Sequence, residues 1–207
     1  MKLFLLGATG RTGTHILDLA RAHGHEVTAF VRSPHKLAAA SGVRVVGGDP
    51  LDRDALAAAM AGHDAVLSAL GLPPRQALRP STRMTEFGAT TVAAMALAGV
   101  RRLGIVSAAV LFPEKGVLFA FFRWFLRHHA RDLRAMEDVV RASDLEWTIA
   151  RPPRLTGGRD EGFRAAAGKL PSGGLAMTFR SVAAFLLDAV EKHAHVDEIV
   201  GLAPAAS

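Results

Sequence analysis

Three glycines near the start of the chain constrain its fold more than any other feature. Gly7, Gly10 and Gly13 follow directly after the apolar run Lys2–Leu6, and a stretch with helical periodicity, Arg11–Ala22, begins among them. Glycines at this spacing allow a tight turn after a buried strand and let the following helix pack closely on the sheet. The segment therefore predicts a strand, a glycine turn and a helix, which together form the opening unit of a parallel sheet.

Short apolar runs continue to alternate with helical stretches along the 207 residues. Further strands are predicted at Glu26–Val31, Val43–Val46, Ala65–Ser68, Leu103–Ser107 and Glu146–Ala150, with an edge strand at Glu198–Leu202. Further helices are predicted from a cap at Ser81 or Thr82 to Ala98, over Phe119–Ala142, and over Ser181–His193 with Ser181 as its cap. This order predicts one α/β domain over residues 1–207, a Rossmann-type doubly wound parallel sheet.

Two segments are predicted to be loops. Gly71–Pro80 contains three prolines, which fix the backbone and remove hydrogen-bond donors. Thr156–Gly174 is rich in glycine and indicates an irregular, mobile flap near a substrate. We place this flap within a region of about residues 154–180.

Composition restricts the partners that the chain can have. The formal charge is +6, but the basic residues are scattered and no tyrosine is present for base stacking, so we do not expect nucleic acid. The absence of cysteine excludes disulfides and thiolate metal sites and fits a reducing compartment. The apolar stretch Val117–Leu126 is about half as long as the ~20 residues that cross a bilayer. We expect a cytoplasmic monomer or homodimer that acts on a small-molecule acceptor.

Two further patterns leave their role open. His23-x-His25 and His193-x-His195 have no third ligand nearby in the sequence, so we predict surface histidines and no metal site. A stripe of large aromatic residues lies at the start of the helix predicted over Phe119–Ala142, and it is expected to form helix core, a lid over an apolar substrate, or a dimer surface. The stripe consists of Phe119, Phe121, Phe122, Trp124 and Phe125.

The glycine turn and the end of the second strand together predict a dinucleotide site. Amides of the turn and the dipole of the first helix can hold a diphosphate, although a tight turn without a ligand gives the same pattern. Arg32 stands 19 residues after Gly13, where a carboxylate would select NAD, and Lys36 follows it. We therefore expect NADPH, with a solvated arginine as the alternative. Asp49 either accepts from the adenine amine or caps the helix that starts near Asp52.

Five motifs give the chain a resemblance to the atypical short-chain dehydrogenases. Within that group it is similar to the NAD(P)H-binding proteins that include the flavin reductase biliverdin reductase B and the NmrA-like proteins. The motifs are Gly7–Gly13, Arg32–Leu37, Gly48–Asp52, Ser107–Ala109 and Ser143–Thr156. The resemblance covers Lys2 to about Leu202, and it specifies the cofactor better than the substrate.

This resemblance implies which residues surround each part of the cofactor. Around the pyrophosphate it places Gly7, Thr9, Gly10, Arg11, Thr12 and Gly13, and at the 2′-phosphate Arg32 and Lys36. Beside the adenine it places Asp49 and Leu51, on the ribose side Ala69, Leu70 and Gly71, and around the nicotinamide Ser107, Ala108, Pro152 and Pro153.

The catalytic pair of ordinary short-chain dehydrogenases is missing. Those enzymes use a tyrosine acid and a lysine one helical turn later, and the resemblance puts these positions at His129 and Leu133. Hydride transfer to a flat aromatic acceptor such as a flavin or quinone remains open, because its proton can come from water. Ser107, as a hydrogen-bond partner of carboxamide or substrate, and His129, as a proton donor, are the candidate catalytic residues. The alternative for His129 is an exposed pair with His128.

Two functions follow from these residues. The first is an NADPH-dependent oxidoreductase, and the second is an NmrA-like redox sensor that binds NADP(H) without catalysis. A nucleotide-sugar epimerase is disfavoured, because it too would need the absent tyrosine.

Overall fold

The protein is described by a computed structural model over residues 1–37, 42–113, 121, 123–158, 162–173 and 175–205. Ten strands are present in these ranges. They are β1 Lys2–Leu6, β2 Glu26–Val31, β3 Val43–Gly47, β4 Ala65–Ser68, β5 Arg102–Val106, β6 Glu146–Arg151, β7 Arg154–Thr156, β8 Phe163–Ala167, β9 Ala176–Thr178 and β10 Glu198–Pro204.

Eight of the strands form one sheet in the order β3-β2-β1-β4-β5-β6-β10-β8. Every neighbouring pair is parallel except β10 and β8, which are antiparallel. The order reverses between β1 and β4, and in such sheets ligands bind beyond the carboxyl ends of the strands at this point. The separate pair β7 and β9 is parallel. The predicted α/β doubly wound fold is confirmed.

Helices cover both faces of the sheet. They are α1 Arg11–Ala22, α2 Arg53–Met60, α3 Pro74–Ala77, α4 Arg83–Ala98, α5 Arg127–Arg141 and α6 Phe179–Glu191. Alternate residues of β1 show how the core divides. Leu3 and Leu5 belong to the cluster formed with α1 and α6, whereas Phe4 and Leu6 belong to the cluster formed with α2, α4 and α5. Burial of both faces explains why the strands are continuous apolar runs. None of the helices in the described ranges has the length and apolar character of a membrane span.

The region predicted to be an irregular flap contains three short strands. It contains β7, β8 and β9, and β8 forms the edge of the main sheet. The strand β10 is therefore not an edge strand, because it lies between β6 and β8. The sequence of β8, Phe-Arg-Ala-Ala-Ala, has few residues with strand propensity, so pairing with β10 rather than local preference decides its conformation.

Three helical segments also differ from the prediction. Proline-rich Gly71–Pro80 contains the short helix α3, because proline is well tolerated in a first helical turn. The helix α5 begins at Arg127 rather than Phe119, because a turn at Leu126 interrupts the helical conformation, and Phe119 lies outside the described residues. The helix α6 is capped by Thr178, whose hydroxyl accepts from the Ser181 amide at 3.0 Å, so Ser181 is not the cap.

A carboxylate from another helix completes the N-terminus of α4. Thr82 precedes this helix but its side chain makes no capping hydrogen bond to the backbone. Instead the buried Asp132 of α5 accepts from the amides of Met84 at 3.1 Å and Thr85 at 2.9 Å. This contact joins α4 to α5 and satisfies donors that a helix start otherwise leaves unpaired.

We expect Asp132→Ala to lower the free energy of unfolding by about 2 kcal/mol, because it leaves buried amides at the start of α4 without an acceptor. Asp138→Ala is the matched control on the same helix, since Asp138 is exposed and its contact with Arg141 is 3.7 Å long. The control should change stability by less than about 0.5 kcal/mol. Urea denaturation of both variants tests the difference, and equal losses would contradict this role of Asp132.

Candidate functional site

The glycine turn between β1 and α1 is held by two close backbone approaches. Gly7 has a φ of +80°, and a Cβ there would lie 2.6 Å from the carbonyl oxygen of Ala69. A Cβ on Gly13 would lie 2.0 Å from the carbonyl oxygen of Gly7, so only glycine lets α1 start this close to the turn. Gly10 donates its amide to the Gly7 carbonyl at 2.9 Å.

The start of α1 differs from the starts of its neighbours. Asp52 caps α2 and Thr178 caps α6 through their side chains, whereas the residue before α1 is a glycine and its first turn has no acidic residue. Within the described ranges, no acceptor lies at the amides of Arg11, Thr12 and Gly13. Unpaired amides at the positive end of a helix dipole suit an anion, so this cradle fits the diphosphate of a dinucleotide.

Two cations follow the end of β2. Arg32 directly follows the strand and Lys36 lies in the short 3-10 helix Pro34–Leu37, and both side chains are exposed. No carboxylate of the described residues forms an ion pair with either of them. Two unpaired positive side chains at this strand end suit a phosphate group.

After β3, the Asp49 carboxylate accepts from the amide of Leu51 at 3.0 Å and so forms a local turn. The cap of α2 is instead Asp52, which accepts from Ala55 at 3.0 Å. Asp49 therefore does not cap this helix, and the capping alternative for it is wrong.

The remaining predicted cofactor residues lie beyond the ends of β4, β5 and β6. The segment directly after β4 contains Ala69, Leu70 and Gly71. Gly7 lies close to the backbone of Ala69 and Leu70. Ser107 follows β5, and Pro152 and Pro153 follow β6. Since the carboxyl ends of parallel strands share one edge of a sheet, all seventeen predicted cofactor residues lie at the same edge, on either side of the switch point.

A buried network that the sequence did not reveal surrounds Ser107. Its hydroxyl donates to Oε1 of Glu137 at 2.5 Å, and the Arg151 guanidinium donates to both oxygens of the same carboxylate, at 2.9 and 2.5 Å. Glu137 and Arg151 are only 2% and 8% exposed. Arg151 also lies over the Phe112 ring, 4.7 Å from its centroid. The Ser107 proton is thus committed to Glu137, and its lone pairs remain for a donor such as a carboxamide.

His129 is not part of this network. It lies eight residues before Glu137 on α5, which is about 12 Å along the helix axis, and no hydrogen bond links it to Ser107. The predicted exposed pair with His128 is wrong, because His129 is half-buried and its Nδ1 has no hydrogen-bond partner in the described residues. Burial lowers the pKa of His129, and the Asp132 carboxylate offsets part of this shift. Leu133, at the expected lysine position, is a core residue.

The aromatic stripe does not form helix core where the structure describes it. Phe121, Trp124 and Phe125 are 53%, 63% and 43% exposed, and Phe121 stacks on Phe125 with ring centroids 6.0 Å apart. Phe119 and Phe122 lie outside the described residues. The helix-core interpretation is therefore wrong for the three described residues.

A family model described as NAD(P)H-binding matches residues 7–193, from the first glycine of the turn to the end of α6. The chain belongs to the NAD(P)H-binding family. The predicted family is thereby confirmed, and the cofactor of this family is a nicotinamide dinucleotide.

Relatives of this NAD(P)H-binding protein have different named activities. A 3-diazoavenalumate denitrifying reductase from a Streptomyces species is 34% identical, with 100% of this chain and 72% of the relative covered. An uncharacterized sugar epimerase YhfK from Bacillus subtilis is 28% identical, with 84% and 81% covered. A solved Rossmann-fold NAD(P)-binding family protein from Shigella flexneri is 25% identical, covers 100% of this chain and 94% of its own, and has a TM-score of 0.78.

The buried pair of Glu137 and Arg151 gives a prediction about coupling. Glu137→Leu or Arg151→Met alone should lower the free energy of unfolding by about 3 kcal/mol, because each leaves a buried charge without its partner. The double variant should be no less stable than either single variant, because it leaves neither charge. Denaturant unfolding of the three variants measures this, and additive losses in the double variant would contradict the coupling.

Proposed function

We propose that this protein is an NADPH-dependent reductase that transfers hydride to a flat aromatic acceptor such as a flavin or a quinone. The observation that carries the proposal is that the Ser107 hydroxyl, which is expected beside the nicotinamide, is already engaged by a carboxylate and is not free to donate a proton. The Ser107 hydroxyl donates to Glu137, and the chain has no tyrosine. Such a site suits an acceptor that takes its proton from water.

The residues around Ser107 support a positioning role. Bound NADPH supplies a hydride from its nicotinamide ring. The Ser107 oxygen, fixed by Glu137, can accept a hydrogen bond from the carboxamide and so set the orientation of the ring. The amide of Ala109 donates to the carbonyl of Pro152 at 2.8 Å, which fastens the segments after β5 and β6 to each other. The two joined segments would cover one face of the nicotinamide ring and leave its other face open for a stacked acceptor.

The choice of NADPH over NADH rests on Arg32 and Lys36. Both are exposed and have no ion-pair partner among the described side chains, and the sequence has no carboxylate directly after β2 to bind a ribose 2′-hydroxyl. A guanidinium and an ammonium at this position favour a 2′-phosphate. The similarity to a named reductase supports the reaction class, whereas the missing tyrosine argues against the epimerase chemistry named for the second relative.

An NADP(H)-binding redox sensor without catalysis, of the NmrA-like kind, is the second candidate. It is favoured by the core position of Leu133 and by the burial of His129, since neither residue supplies a charged partner for a catalytic acid. The two candidates share the cofactor site and differ in turnover.

Steady-state oxidation of NADPH with FMN, riboflavin and a benzoquinone is the direct test of the reductase. We expect turnover with at least one acceptor, and His129→Gln should keep most of it because His129 lies about two helical turns from Glu137. Ser107→Ala should lower turnover, because the nicotinamide loses its orienting oxygen. Tight NADPH binding without turnover for any acceptor would reject the reductase and favour the sensor.

Arg32→Ala is expected to weaken NADPH binding by about 10- to 100-fold, because the 2′-phosphate loses a charge-assisted hydrogen bond. NADH binding should change by less than about threefold, since it has no 2′-phosphate. Arg141→Ala is the control, because this exposed arginine ends α5, close before the amino end of β6. Calorimetric titration of each variant with both nucleotides measures the effect, and equal weakening of NADPH and NADH would overturn the assignment of Arg32.

A further inference from the structure

The geometry points to a binding site for a divalent transition-metal ion, of the Zn²⁺ type, formed by His23, His25 and Glu191 at the edge of the sheet opposite the cofactor turn. The third ligand that is absent near His23-x-His25 in the sequence comes from the end of α6. Oε1 of Glu191 lies 2.8 Å from Nδ1 of His23 and 2.5 Å from Nε2 of His25. All three ligand atoms lie within 4.8 Å of one another.

The backbone after α1 directs both imidazoles to one place. His25 donates its amide to the carbonyl of Ala20 at 2.9 Å, and Gly24 donates to Arg21 at 3.0 Å with a φ of +78°. This is the Schellman arrangement, in which a glycine reverses the chain at the end of a helix. The two histidines therefore flank a fixed turn, with ring centroids 6.2 Å apart.

The backbone on either side of Glu191 is held in place independently of the histidines. Glu191 is the last residue of α6, and the buried Arg102 guanidinium donates to the carbonyls of Ala189 and Ala194 on either side of it, at 2.9 and 2.7 Å. Only 22% of the Glu191 side chain and 11% of the His25 side chain are exposed, against 49% for His23. The site is thus partly sheltered, and solvent can reach it from the His23 side.

Charge and ligand chemistry favour a metal of this class. The carboxyl ends of α1 and α6 both lie at the site, and the negative ends of helix dipoles favour a cation. Two imidazole nitrogens and one carboxylate oxygen are ligands that Zn²⁺ accepts at about 2.0–2.2 Å, with a water as fourth ligand, whereas Mg²⁺ and Ca²⁺ prefer oxygen ligands. Oε2 of Glu191 has no described hydrogen bond, so the carboxylate can turn to bind the ion.

Such an ion would have a structural role and would take no part in hydride transfer. The helix α1 has 12 residues and begins at the glycine turn, so the site is about 18 Å away from that turn. An ion here would join the end of α1, the start of β2 and the end of α6, and would stabilise the folded chain by binding to it alone.

The second histidine pair provides a natural control. His193 and His195 follow α6 as His23 and His25 follow α1, but both have positive φ, 48° and 56°, in place of an intervening glycine. They contact two different carboxylates, Nε2 of His193 at 3.7 Å from Glu146 and Nδ1 of His195 at 2.7 Å from Glu198. The same sequence spacing therefore does not converge on one point.

The test is titration of the metal-free, untagged chain with ZnCl2 in the absence of nucleotide, followed by calorimetry and by thermal unfolding. We expect one Zn²⁺ per chain with micromolar or tighter affinity, and an increase of about 5 °C in Tm at saturating zinc. His23→Gln and Glu191→Gln should each weaken zinc binding at least about tenfold, whereas His193→Gln should leave it unchanged.

Three results would overturn the site. They are absence of zinc binding to the metal-free chain, zinc binding that Glu191→Gln and His23→Gln leave unchanged, and binding that His193→Gln weakens as much as they do. Melting curves in metal-free buffer check that each variant is folded. Substitution with Co²⁺ gives a second readout, because a visible absorption band of a four-coordinate ion should appear in the wild-type chain and in His193→Gln only.

Discussion

The close approach of Gly13 to the Gly7 carbonyl is the contact on which the rest of the molecule depends. A single methyl group at Gly13 would lie 2.0 Å from that oxygen, so the start of α1 would have to move away from β1. The same turn lies close to the backbone of Ala69, which follows β4 on the other side of the switch point. One backbone turn therefore fixes the first helix, two central strands and the place where a dinucleotide can bind.

In three of the six described helices a side chain pairs with amides at the helix start, and α1 is not one of these three. Donors at the starts of α2, α4 and α6 are satisfied by Asp52, Asp132 and Thr178. The start of α1 has only a glycine before it. Ser107 illustrates the opposite case, since a buried ion pair of Glu137 and Arg151 holds its hydroxyl. The cofactor edge thus combines a backbone left open for an anion with a side chain whose orientation is fixed.

Local sequence patterns were enough for the fold and for the cofactor edge. The bounds of β1, α1, β2 and β4 agree with the prediction, because each is an apolar run or amphipathic stretch bounded by glycine or polar residues. Residues at the carboxyl ends of the strands could be assigned to one edge, since parallel sheets bring these ends together. The strand β8 could not be predicted, because its alanine-rich sequence becomes a strand only through pairing with β10.

The side-chain contacts that could not be predicted for the two sites join residues that are far apart in the chain. Ser107 and Glu137 are 30 residues apart, and His25 and Glu191 are 166 residues apart, so no spacing rule could have joined them. No sequence pattern indicated that the Glu137 carboxylate is buried beside Ser107. The burial of His129 was likewise missed, because a pair of adjacent histidines at a basic helix start is typical of an exposed surface.

The first amides of α1 have no acceptor within the described protein, and they lie at the glycine turn where the backbone contacts are closest. These three amides can be satisfied only by water or by a bound anion, so the nucleotide diphosphate would serve as the helix cap that the amino-acid sequence omits. The first turn of α1 would then be firm when nucleotide is plentiful and loose when it is scarce. The lifetime of the folded protein in a cell would accordingly follow the supply of its own cofactor.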